Sequence, residues 1–84
     1  MAILEDELRE AAEVGRLVSE LPEAAQRVPL RRRVGWSRKR LAAFLGIAPV
    51  TLRRFEEGAL PRALTQTDAL PRAVVFYKRA GGSK

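Results

Sequence analysis

The stretch Gly35-Trp-Ser-Arg-Lys-Arg-Leu-Ala-Ala-Phe-Leu-Gly-Ile-Ala-Pro-Val-Thr-Leu-Arg-Arg-Phe-Glu-Glu-Gly58 decides the fold. Ser37 is a good N-cap for a helix over Arg38–Leu45, and Gly46 is a good C-terminal stop. Pro49 suits the first position of a second helix, which runs to about Glu57 and ends at Gly58. Leu41, Ala42 and Leu45 make the inner stripe of the first helix; Leu52 and Phe55 make that of the second. Two short helices joined by a Gly-containing turn form a helix-turn-helix. Ala42 is small where the helices cross, Gly46 tolerates the left-handed turn, and Leu52 fills the joint.

Working outward, residues 22–28 read as helical, and Pro29 predicts a kink or break before a short helix over Leu30–Val34. Gly35 ends that piece. Residues 2–20 read as one amphipathic helix with Leu4, Leu8, Ala11 and Val18 on a stripe widened by Ile3, Val14 and Leu21. We expect that stripe to be covered, because each large aliphatic side chain gains about 1.5–3 kcal/mol on full burial. The cover is either the chain's own basic domain or a second copy. After Gly58, Leu60-Pro61-Arg62 reads as a loop, and residues from about Thr67 to Arg79 as a final helix with Pro71 near its start. Leu70, Val74, Val75 and Tyr77 or Phe76 should close the core. The segments are therefore an acidic leader helix, 1–21, a helix-turn-helix domain, 22–80, and a flexible tail, 81–84.

The 84 residues include no cysteine and no histidine. That excludes disulfides, Cys/His metal sites and His-based catalysis. No nucleophile–base or paired-carboxylate constellation is visible, so an enzyme is not expected, nor is a cofactor, a metal or a small-molecule ligand. The absence of a membrane-length apolar run or signal pattern points to a cytoplasmic protein. The net charge of +6 is unevenly spread. Residues 1–26 carry seven acids and two bases, a balance of −5, and residues 27–84 carry fourteen bases and three acids, a balance of +11. The usual partner of such a basic domain is a nucleic acid.

Arg38, Lys39 and Arg40 occupy the first turn of a helix, where the dipole disfavours positive charge. A docked polyanion explains them, so all three are candidate phosphate contacts. On the second helix, at about 100° per residue, Val50, Arg53, Arg54 and Glu57 cluster opposite Leu52 and Phe55. Arginine pairs bidentately with guanine, Val50 suits a thymine methyl, and Glu57 accepts from cytosine or pairs locally with Arg53 or Arg54. Thr51 sits at the edge, within reach of a base or a phosphate. Trp36 either stacks on a base or anchors the core.

The segment Leu30–Gly58 resembles the Cro/C1-type (XRE-like) helix-turn-helix family of phage repressors and related bacterial regulators. The resemblance rests on Gly35, Ser37, Leu41, Ala42, Leu45 and Gly46, and on the ending Glu56 and Gly58. It extends weakly to about residue 80. It implies a lambda repressor-like all-α domain of about five helices, with the helix 49–57 entering the major groove. It also implies that Arg31 pairs with Glu56 as a structural lock, that Trp36 is buried between helices, and that Arg62 touches phosphate. Two positions depart from the pattern. Ala48 stands where the family has a polar N-cap, and Arg38 where it prefers glutamine.

The expected function is a sequence-specific double-stranded DNA-binding transcriptional regulator, a small phage Cro- or repressor-like protein, possible as a homodimer on DNA. The alternatives are a DNA-bending excision or packaging accessory and an antitoxin-like protein-binding module.

Overall fold

The computed structural model describes residues 2–81, and the side chains of residues 8–81. Among the described residues the chain is all-helical. The helices are α1 (Ala2–Ser19), α2 (Ala24–Val34), α3 (Arg38–Leu45), α4 (Pro49–Glu56), α5 (Arg62–Thr65) and α6 (Ala69–Gly81). No helix among them is long and apolar enough to cross a membrane.

The α3–α4 unit is built by its local signals. Ser37 Oγ accepts from the Arg40 backbone N–H at 3.1 Å, capping α3. Gly46, at φ 76°, turns the chain after α3. Its N–H donates to the Ala43 carbonyl at 3.2 Å and the Ile47 N–H to the Ala42 carbonyl at 3.0 Å. That double closure needs a left-handed residue, which is why glycine stands there. Gly35 does the same work after α2, at φ 86°. Pro49 opens α4 behind Ala48, which supplies no side-chain cap.

The core lies between α6 and the motif. Leu41, Leu45, Leu52, Phe55, Leu64 and Leu70 are fully buried, with Ala73, Phe76, Tyr77 and Ala80 closing the cluster from α6. Thr67 Oγ1 accepts from the Ala69 N–H at 3.1 Å and starts α6 two residues later than the expected Thr67.

Several expectations need correction. Pro29 lies inside a continuous α2 rather than between two helices. The carbonyl it orphans belongs to Ala25, and both residues are exposed, so the lost bond lies at the surface and not in the core. The loop after Gly58 contains the short helix α5, because Leu64, completely buried, draws one turn of chain onto the core. Among the described residues the leader helix α1 and the five helices that follow it make six, in keeping with the about five expected. Val75 is 47% exposed rather than core, since Leu70, Ala73, Val74, Tyr77 and Ala80 already claim the inner side of α6. Gly81 belongs to α6 and not to a tail; residues 82–84 lie outside the described residues.

The leader is only half covered. Val14, Leu17, Val18 and Leu21 pack against the core. Leu8 is 63% exposed and Ala11 is exposed as well; Ile3 and Leu4 lie outside the described side chains. The cause is length. At about 1.5 Å per residue, the 18 residues of α1 outrun the 13 of α6, on which α1 packs. The Lys78–Glu20 ion pair ties the C-terminal end of α1 to α6.

Candidate nucleic-acid interface

Helix α4 is held from one side and one end. Leu52 and Phe55 point into the core and are completely buried. At the C-terminal end, two arginines of α2 reach across. Arg31 Nε donates to Glu56 Oε2 at 2.6 Å, and its Nη1 donates to the Trp36 carbonyl at 3.0 Å. Arg27 Nη1 donates to the Phe55 carbonyl at 2.5 Å and its Nε to the Pro22 carbonyl at 3.2 Å. Its guanidinium also lies over the Phe55 ring, 4.3 Å from the centroid. The Phe55 carbonyl also accepts from the Gly58 N–H at 3.0 Å, so Arg27 adds a second, charged donor to the last turn.

The Glu56 side chain is 1% exposed and binds a second base. Arg38 Nε donates to Glu56 Oε1 at 3.0 Å, so this carboxylate joins α2, α3 and α4. Two charge-assisted bonds fill its two oxygens, which lets a carboxylate sit inside the domain. Arg38 was expected to serve phosphate alone. Its Nε is spent on Glu56, and the remainder of a side chain 43% exposed faces outward at the start of α3.

The other expected contacts fall into two groups. Val50, 58% exposed, and Arg53 and Arg54, both exposed, lie on the outer side of α4, with Thr51 half-buried at its edge. Glu57 follows the last helical residue. Its carboxylate lies 3.5 Å from Arg53 Nε, and both side chains are well exposed. The local pairing is therefore formed, at the weak end of such contacts. Lys39 and Arg62 are exposed, and neither forms an ion pair among the described residues. Arg40 is placed differently: its guanidinium stacks over the Trp36 ring at 4.3 Å, away from the first-turn cluster. The Trp36 ring is half-buried, edge-on to Phe44 at 5.5 Å and tilted against Phe76 at 5.1 Å. It packs between helices with one face under Arg40.

Arg27 was missed in sequence. The available signal was its spacing of four from Arg31, which puts both on one side of α2. Tyr77 was read only as core. Its buried hydroxyl has no hydrogen-bond partner among the described residues, and burial, with the Glu56 carboxylate nearby, pushes its ionisation far above the usual phenol range.

The chemistry available here is that of a docking face. Arginine guanidiniums, a lysine and a small apolar group stand on the outer sides of α3 and α4. Among the described residues no group of acidic side chains is arranged to hold a metal ion. No protein family, curated protein or solved structure matches the chain.

Proposed function

We propose that the chain is a sequence-specific double-stranded DNA-binding regulator of transcription, of the phage Cro- or repressor-like kind that its helix-turn-helix resembles. The observation that carries this reading is the one-sided anchoring of α4. Its inner side and C-terminal end are fixed by Leu52, Phe55 and the Arg31–Glu56–Arg38 cluster, while Val50, Arg53 and Arg54 stand clear of the domain. A helix so held enters the major groove without rearrangement, with Arg53 and Arg54 as guanine readers and Val50 against a thymine methyl. Lys39, the outer part of Arg38 and Arg62 supply phosphate contacts. Arg40, drawn onto Trp36, has a lesser share in them. Such a protein works in the cytoplasm.

The test is selection of bound duplexes from a random pool, followed by titration of the winner at several salt concentrations. A recovered consensus, with a salt slope reflecting several phosphates, supports the reading. Binding with no consensus would favour a DNA-bending accessory, and no binding at low salt would defeat a nucleic-acid role.

A further inference from the structure

The N-terminal half of α1 is a built feature without a cover. Leu8 and Ala11 are exposed on the same stripe whose later members, Val14, Leu17 and Val18, are packed. The segment is strongly acidic: the sequence has Glu5, Asp6, Glu7, Glu10 and Glu13 there. It cannot fold back onto its own domain, because α1 is one continuous helix and its C-terminal half is fixed on α6 by packing and by the Lys78–Glu20 pair.

The same chain carries a surface of opposite character. On the seam between α3 and α6, Phe44 is 40% and Val75 47% exposed. Arg72, one turn before Val75, donates to the Phe44 carbonyl at 3.3 Å, which brings this stretch of α6 beside the end of α3. Arg40 lies beside them over Trp36, whose edge meets Phe44. This patch is apolar at its centre and cationic at its border. It lies on the side of α3 marked by Arg40 and Phe44, not on the outer side of α4.

We propose that the acidic half of α1 in one copy docks on the Phe44/Val75 seam of a second copy, with Leu8 against the apolar centre and the acids against Arg40 and Arg72. Charge decides between this and pairing of α1 with α1. Two acidic helices repel, whereas residues 1–26, with a balance of −5, meet residues 27–84, with a balance of +11. Each copy offers one such helix and one seam, so two reciprocal contacts close a two-fold dimer. Closure doubles the buried surface, which a half-helix alone leaves short of the roughly 1,200–2,000 Å² of an ordinary interface. The contact leaves the outer face of α4 free, and it stands whether or not the chain binds DNA.

The test uses two full-length variants and sedimentation velocity across a concentration series without DNA. Leu8→Glu spoils the acidic helix, and Val75→Glu spoils the seam. Both sites are exposed, and circular dichroism with thermal melting checks that each variant folds. The expected result is a wild-type dimer and two variants that are each monomeric at concentrations where wild type is dimeric, because each substitution spoils both reciprocal contacts. A Val75→Glu protein that remains as dimeric as wild type would overturn the proposal in favour of α1–α1 pairing. A wild-type chain that stays monomeric throughout, or a Leu8→Glu protein as dimeric as wild type, would overturn it outright.

Discussion

Helices α2 and α4 each spend two arginines, and to opposite ends. Arg27 and Arg31, four apart on α2, are buried; their donors go to Phe55, Pro22, Trp36 and Glu56. Arg53 and Arg54, adjacent on α4, are exposed, and Arg54 makes no ion pair among the described residues. The first two hold one helix against another, and the second two are held outward by it. Basic charge is thus no measure of a binding face. The useful quantity is how many donors of each guanidinium are already taken.

The sharpest way to break this contrast is Glu56→Ala. It leaves Arg31 buried without its carboxylate and frees Arg38. Removing one partner of a buried pair costs about 3–5 kcal/mol, so a large fall in Tm and in the denaturant midpoint is expected, measured by circular dichroism. A loss below about 1 kcal/mol, the range of surface pairs, would show that α2 does not hold α4 through this carboxylate.

Arg54→Ala probes the other side. Stability should move by no more than about 0.5 kcal/mol, while discrimination between the selected duplex and a random one falls by about 1–3 kcal/mol. Binding titrations on both duplexes separate the two quantities. Equal weakening on both duplexes would make Arg54 a phosphate contact and not a reader.

A smaller gain is expected at the opposite end of α4. Ala48 has the extended backbone of an N-cap, φ −70° and ψ 147°, but no side-chain acceptor. Ala48→Ser supplies one and should raise stability by about 1 kcal/mol. Denaturant unfolding reads this directly, and an unchanged midpoint would mean that the first-turn amides of α4 are already served.

The least effect belongs to the exposed Lys78–Glu20 pair. The Lys78 ammonium, by hydrogen bond and charge, lowers the Glu20 carboxyl below its ordinary value of 4.5. A carboxyl lowered on folding adds stability that is complete above its unfolded value and is lost as pH falls through the folded one. The Tm difference between wild type and Glu20→Gln should therefore be small at neutral pH and vanish in acid. A difference that persists in strong acid would assign it to packing of the side chain.

The motif was legible because its signals are local. Ser37, Gly46 and Pro49 act within a turn of themselves, and their helices begin and end within a residue of expectation. The failures share a different cause. Pro29 is tolerated inside α2, where it and Ala25, whose carbonyl it orphans, are exposed, and exposure is a tertiary fact. Leu8 and Val75 lie on apolar stripes, but a stripe says nothing of how far the partner helix extends. At the candidate interface, periodicity placed Val50, Arg53 and Arg54 on the outer side of α4. It could not foresee that Glu56 would also take Arg38, or that Trp36 would take Arg40, because both arise between segments that meet only when folded.

Trp36 is the single tryptophan of the chain, and its position makes it an optical gauge of one joint. Its ring rests on Phe44 of α3 and Phe76 of α6 beneath the Arg40 guanidinium. Its emission therefore reports whether the motif and the last helix remain engaged, and it is blind to the far end of α1. Loosening of that joint exposes the ring and shifts its emission to longer wavelength. Far-ultraviolet dichroism counts every helix equally, so it reads helix content and not this joint. The two signals followed together on one sample separate undocking from unfolding without any label.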